Sequence, residues 1–207
     1  MTRQSYSDNL QNAPQQFELP QASLKYWPQW LDSSQASQLF TQLNDELQWS
    51  QDTIMMFGKP VQIPRQQVWM GEPHCQYRYS GTLFIPQHWH AAVNTLAARL
   101  SQFLQQPFNC VLLNRYQHGE QYMGWHADNE KELDDTAMIA SISLGAVRRF
   151  DLKHRNLPVQ LNLDLAAGSL LCMGPGMQQY WLHRLPKQSR VLQCRLNLTF
   201  RYIKPAR

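Results

Sequence analysis

From residue 110 the chain runs CVLLNRY (110–116), MGWHAD (123–128), MIASISL (138–144), RRFDLKH (148–154), VQLNLDL (159–165), SLLCMG (169–174), QYWLHRL (179–185) and RLNLTFRYI (195–203). Each run is short and most are separated by turn formers, the pattern of antiparallel strands rather than helices. About eight such strands in succession predict a sandwich or jelly roll. In the last run Arg195, Asn197, Thr199 and Arg201 alternate with Leu196, Leu198 and Phe200. Successive strand side chains point to opposite faces, so four polar groups share one face and three apolar groups the other. Two arginines on one face are either solvated or buried against anions, and a dicarboxylic acid would supply two carboxylates.

Upstream the periodicity changes. DSSQASQLFTQLNDELQW (32–49) opens with cap-type residues and places Ala36, Leu39, Phe40, Leu43 and Leu47 at helical spacing. From about His90 to Gln105, Val93, Leu96, Ala97, Leu100 and Leu104 form a second stripe that stops before Pro107. Between the helices, MMFGKPVQIPRQQVWMGEPHCQYRYSG (55–81) reads as turns and short strands. Residues 1–18 are rich in Gln, Asn and Ser, with Pro14 as a breaker, and predict a loose tail ahead of a single domain over 19–207. The fold class expected is α+β, mainly β, with the N-terminal helices packed on one sheet.

Hydrophobic residues at 43% against charged residues at 16% describe a chain that folds. A net charge of +4 permits an anionic partner such as nucleic acid without the character of a basic tail. Cys75, Cys110, Cys172 and Cys194 form no CxxC pair, which excludes a zinc ribbon or redox dithiol motif; they are expected reduced and mostly buried. No apolar run is long enough to span a bilayer and the first residues lack the apolar segment of a secretory signal, so a cytoplasmic monomer with no membrane contact is expected.

In MGWHAD, His126 and Asp128 stand at i and i+2 and would present an imidazole and a carboxylate on one face. A third ligand is available from a later strand, His183 in YWLHRLP. Two histidines and one carboxylate on one side of a metal leave the opposite positions open, the arrangement of non-haem iron(II) oxygenases. His88 and His90 also have ligand-like spacing, but no arginine-bearing strand follows them at jelly-roll distance, and they are read as non-ligands.

Taken together, NRYxxGxxxxGWHxDxExxL (114–133), IASISLGAxRxF (139–150), GSLLxM (168–173), WLHRLP (181–186) and RLNLTFR (195–201) resemble the AlkB family of iron(II)- and 2-oxoglutarate-dependent dioxygenases in order and spacing, over about residues 55–203. The resemblance implies a double-stranded β-helix core over about 109–203 with a nucleotide-recognition lid over about 52–82. It implies that His126, Asp128 and His183 hold Fe(II) and form the catalytic centre, and that Asn114, Tyr116, Arg195, Asn197, Thr199 and Arg201 hold 2-oxoglutarate. Within that set, Arg195 suits the distal carboxylate, with Arg201 and Asn114 nearer the chelating end. The implied activity is oxidative demethylation of 1-methyladenine and 3-methylcytosine in single- or double-stranded DNA. 2-Oxoglutarate and O2 are converted to succinate and carbon dioxide, and formaldehyde is released. RNA or another methylated substrate is the second enzymatic reading, and a non-catalytic nucleic-acid-binding module is the reading the complete ligand set opposes.

A base must leave its stack to reach a buried metal. Tyr77, Tyr79 and Ser80 in YRYSG resemble the family's base-pocket segment, although YRYSG also reads as an ordinary aromatic strand. Glu130 matches the acidic residue facing the base, while Asn129 replaces an acid seen in some relatives. Phe57 in MMFGKP sits where duplex-acting members carry an apolar wedge, its competing reading being a core phenylalanine under a loop. Lys59, Arg65, Arg148, Arg149, Lys153, His154, Arg184, Lys187 and Arg190 are candidates for a phosphate track.

Overall fold

The protein was analysed as a computed structural model that describes residues 13–56, 58–79, 82–134 and 136–204. The runs quoted above become eight strands: β8 (Cys110–Tyr116), β9 (Met123–His126), β10 (Ile139–Gly145), β11 (Arg148–His154), β12 (Gln160–Leu165), β13 (Leu170–Met173), β14 (Trp181–Leu185) and β15 (Arg195–Arg201). They divide between two antiparallel sheets. In the larger, β13, β10, β15 and β8 are neighbours; in the smaller the order is β12-β11-β14-β9. The chain thus crosses repeatedly from one sheet to the other, which is the jelly roll.

Three earlier strands widen the larger sheet: β1 (Gln15–Leu19) and β2 (Ala22–Trp27) at one edge and β5 (Gln66–Gly71) at the other. The first of these corrects the sequence reading, since Gln15, Gln16, Phe17 and Glu18 lie within the stretch 1–18 expected to be loose. Its glutamines are exposed while Phe17 and Leu19 pack on the core, and β2 supplies a full antiparallel ladder from Gln15↔Tyr26 to Leu19↔Ala22. Four further strands, β3 (Thr53–Met56), β4 (Lys59–Gln62), β6 (Tyr77–Tyr79) and β7 (Thr82–Phe84), form two separate two-stranded hairpins.

Helix α1 (Ser33–Glu46) begins where the capping residues predict: the Asp32 carboxylate accepts the Gln35 N–H at 2.8 Å. Such a cap contributes about 0.5–2 kcal/mol. Helix α2 (Ala91–Leu104) follows its apolar stripe to the residue before Gln105, whose left-handed φ of 53° ends it. Leu43 of α1 and Val93, Leu96 and Leu100 of α2 share one core with Val111, Leu113, Ile142, Leu144, Leu196, Leu198 and Phe200 from the larger sheet. No helix among the described residues is long and apolar enough to cross a membrane. All four cysteines are free, three of them buried.

Strand alternation does the rest. With Leu196, Leu198 and Phe200 turned toward the helices, Arg195, Asn197, Thr199 and Arg201 turn into the space between the sheets. Asn114 and Tyr116 of β8 and Ser141 of β10 face the same space.

Candidate active site

His126 ends β9 and His183 lies within β14, and the two are direct cross-strand partners with ring centroids 4.2 Å apart. Asp128 lies just beyond the end of β9, in a stretch without regular structure. One ligand atom from each of the three falls within 4.8 Å of the others. His126 Nδ1 is 2.8 Å from the Gly124 carbonyl. A carbonyl can only accept, so Nδ1 carries the proton and Nε2 keeps its lone pair, 3.8 Å from Asp128 Oδ1.

The electrostatics keep all three in their metal-binding forms. Burial holds His183 neutral, with a pKa down to about 3, and His126 adds to the effect. His126 is lowered by burial as well. For Asp128 burial pulls the other way, but Arg201, then His183 and His126, bring it down to about 2. Arg201 Nη2 stands 2.9 Å from Asp128 Oδ1. His183 Nδ1 is buried with no hydrogen-bond partner among the described residues. Two neutral imidazoles and one ionised carboxylate gathered on one side match what a divalent iron with open positions requires.

Beside this triad a cavity is lined by Asn114, Tyr116, Arg195, Asn197, Thr199 and Arg201. Arg195 is 2% exposed and donates from Nη2 to Ser143 Oγ at 2.9 Å, with the Tyr116 ring 5.6 Å away. Among the described residues its Nε has no partner and no carboxylate pairs with it. Burial lowers its pKa to about 10, Arg148 acting in the same sense. A cation buried at such cost calls for an anion. Asn197 donates to Ser141 Oγ at 2.7 Å and to the Ile142 carbonyl at 3.1 Å, and the Thr199 hydroxyl donates to Asn197 Oδ1 at 3.2 Å. The fixed hydroxyls and amides thus form the wall, leaving the guanidinium as its charged end.

The family model for the 2OG-Fe(II) oxygenase superfamily matches residues 23–201, which includes every one of these side chains. The chain belongs to that superfamily. This oxygenase is 36% identical over 185 residues to the mouse DNA oxidative demethylase ALKBH2, covering 84% of this chain and 77% of that one. To its human counterpart it is 34% identical over 181 residues, 82% and 69% of the two chains. To the human alpha-ketoglutarate-dependent dioxygenase alkB homolog 3 it is 32% identical over 189 residues, 86% and 65%. These similarities place the oxygenase in the AlkB family. Among solved structures, that of OsALKBH1 superposes with a TM-score of 0.62 at 16% identity, covering 91% and 99% of the chains. A 2OG-Fe(II) oxygenase family oxidoreductase from Burkholderia pseudomallei gives 0.60 at 15%, covering 87% and 84%. Both share the fold. Fe(II), 2-oxoglutarate and O2 are the cofactor and cosubstrates of such an oxygenase.

A second cavity reaches His126, Asp128 and Arg201 and is lined besides by Ile63, Arg65, Gln67, Leu112, Met123 and Glu130. Glu130 Oε2 is buried without a hydrogen-bond partner among the described residues, and burial raises its pKa although Arg201 opposes. Tyr77 and Tyr79 belong to β6 of the separate β6–β7 hairpin, paired as Tyr77↔Phe84 and Tyr79↔Thr82. Phe57 and Ser80 lie outside the described residues.

The oxygenase also departs from the sequence reading. Arg65, expected on a phosphate track, is 8% exposed and donates from Nε to Asn114 Oδ1 at 2.8 Å, inside the second cavity. Arg148 is 1% exposed and donates to the carbonyls of His118, Gly119, Gln121 and Pro186 and to Gln188 Oε1. His154 is buried against Gln21 and Tyr180. Arg149 and Arg184 remain at the surface, paired to Asp151, and Lys153 and Arg184 lie 4.6 and 4.5 Å from the Trp125 ring. Gln178, which no motif singled out, accepts the Asp128 backbone N–H.

Proposed function

We propose that the chain is a DNA oxidative demethylase acting on 1-methyladenine and 3-methylcytosine. One observation carries this reading: a cavity lined by the buried Arg195 and a cavity bearing the buried Glu130 both reach His126 and Asp128. An anionic cosubstrate and a cationic base would therefore each find a group of opposite charge beside one centre. Both methylated bases carry positive charge, which the Glu130 carboxylate would offset. The names and the identity of the mouse and human ALKBH2 relatives support DNA as the polymer.

His126, Asp128 and His183 would hold the iron. Bound with 2-oxoglutarate and O2, it supplies the oxidising power that hydroxylates an N-methyl carbon, yielding succinate, carbon dioxide and formaldehyde. Arg195 holds the distal carboxylate of the cosubstrate through charge-assisted hydrogen bonds. Asn197 and Thr199, braced on β10, keep its carbon chain along the wall, and Tyr116 screens Arg195 from water. Arg201 keeps Asp128 ionised, and Asn114, fixed by Arg65, closes the end nearest the metal. Hairpins β3–β4 and β6–β7, each paired only with itself, are suited to a lid spanning about residues 52–82. Tyr77, Tyr79 and Ser80 would then flank the flipped base, and Phe57 would fill the gap in a duplex.

Incubation with Fe(II), ascorbate, 2-oxoglutarate and oligonucleotides carrying either base, as single strands, duplexes and RNA, tests this. Mass analysis should show loss of one methyl group from DNA, dependent on 2-oxoglutarate. Turnover confined to RNA, or none with any oligonucleotide while succinate still forms, overturns it.

A further inference from the structure

The fold does not hold the three ligands equally. His126 and His183 are locked by the ladder between β9 and β14, whereas Asp128 has left the strand and no sheet partner fixes its backbone. Its N–H instead donates to Gln178 Oε1 at 2.9 Å. We propose that Gln178 is a positioning residue for the metal centre, holding the Asp128 backbone so that its carboxylate stays directed at the metal. This rests on the metal-centre reading above and on no choice of substrate.

The surroundings of Gln178 show a built support. The amide orientation is fixed chemically, because a backbone N–H must meet the oxygen; the nitrogen is then directed at Met173 Sδ, 3.7 Å away. Gln178 belongs to the single-turn helix α3 (Met177–Tyr180), and its position is set by close backbone packing. Gly176 enters that turn at φ +86°, where a Cβ would lie 1.9 Å from the Gln21 carbonyl. A Cβ on Gly174 would lie 2.0 Å from Ser23 Oγ. At Gly176 the obstacle is backbone, so α3 is seated directly on the β1–β2 turn, while Gly174 packs against the Ser23 side chain of β2. Arg155 donates to the Gln178 carbonyl at 3.4 Å from outside. Arg201 secures the Asp128 carboxylate and Gln178 its main chain, so the two act on different degrees of freedom of one ligand.

Gln178 also lines a polar groove of about 710 Å³ beside Asp128, so direct contact with an oligonucleotide is the competing role. Mn(II) alone, titrated into the metal-free full chain and followed by the electron paramagnetic resonance of the free ion, separates the two. Gln178→Leu should weaken Mn(II) binding about tenfold or more, the usual effect of losing an outer-shell partner. Gln178→Glu keeps an acceptor at the same reach and should stay close to wild type, as should Gln179→Leu next door. Unchanged Mn(II) affinity in Gln178→Leu with a raised oligonucleotide KM overturns the proposal in favour of substrate contact. A lowered melting temperature of the metal-free Leu variant, with affinity that Glu fails to restore, overturns it in favour of a structural role. If wild type and His126→Ala bind Mn(II) equally, the metal-centre reading itself fails and the proposal falls with it.

Discussion

The Arg201 guanidinium at the end of β15 lies 2.9 Å from the carboxylate of Asp128, and both side chains are almost completely buried. Removing one partner of a buried ion pair costs about 3–5 kcal/mol. Asp128→Ala should therefore abolish turnover and also lower the urea midpoint of the metal-free protein, because it removes the buried carboxylate that Arg201 meets at 2.9 Å. His126→Ala should abolish turnover with little change in that midpoint. Equal midpoints for the two variants would show that the pair contributes nothing to the fold.

Arg195 behaves in the opposite way. Its burial without an anion costs stability in the cosubstrate-free protein, so Arg195→Met should leave the melting temperature unchanged or raised. The 2-oxoglutarate requirement should rise roughly 10- to 100-fold, the equivalent of a charge-assisted hydrogen bond of about 1.5–3 kcal/mol. A cosubstrate titration that matches wild type would place the anion elsewhere.

The histidines set a pH dependence in the metal-free protein. His183 is held at about 3, far below the ordinary value of about 6.5, and His126 is lowered too. Between those values the unfolded chain binds more protons than the folded one, so stability is complete above about 6.5 and declines as the pH falls. Asp128, held at about 2, adds its own loss at still lower pH. Urea midpoints with chelator should fall between pH 7 and pH 5, and His183→Gln should flatten the slope.

Arg148 ties residues 118–121 to residues 186–188 through four carbonyls and the Gln188 amide. Arg148→Met fills the space but removes the donor that reaches the Gln121 and Pro186 carbonyls, while the His118 and Gly119 carbonyls and Gln188 Oε1 keep the backbone N–H groups of Gln121, Gln188 and Arg149. The expected loss is on the order of 3 kcal/mol in chemical denaturation. A loss under about 0.5 kcal/mol, the range of ordinary surface substitutions, would mean that water replaces it.

Phe57 is tested by contrast between substrates. As a wedge, Phe57→Ala should depress repair of a methylated base in duplex DNA and spare the same base in a single strand, since only a duplex must have its stack filled. As a core residue it would lower the melting temperature and both activities together, at about 3–5 kcal/mol.

What could be read from the residues divides along physical lines. RLNLTFR was legible because a period of two assigns each side chain to a face, and a face with four polar groups demands an explanation; the HxD spacing was legible too, although Asp128 lies beyond the end of β9 and is brought to His126 by the loop rather than by strand alternation. Asp32 announced α1 for a similar reason, as a cap acts over three residues. Arg65 and Arg148 were not legible, because an arginine in a loop or at a strand start looks the same whether it meets water or a carbonyl cage. Their burial depends on segments far away in the chain. Strand β1 was hidden by its glutamines, although Phe17 and Leu19 alternate ahead of Pro20 and Gln21, which form the turn. Gln178 carried no signal at all, since its role depends on a backbone N–H fifty residues earlier.

The direct pairing of His126 with His183 has a consequence for how the molecule is made. A slip of one residue between β9 and β14 would exchange His126 for Trp125 or Ala127 on the inner face, and the two imidazoles would no longer meet. Such a chain could keep its strands and much of its core yet have no place for iron. Metal occupancy in a preparation therefore counts the molecules whose strands closed in the correct alignment, a census of folding fidelity taken at the catalytic centre.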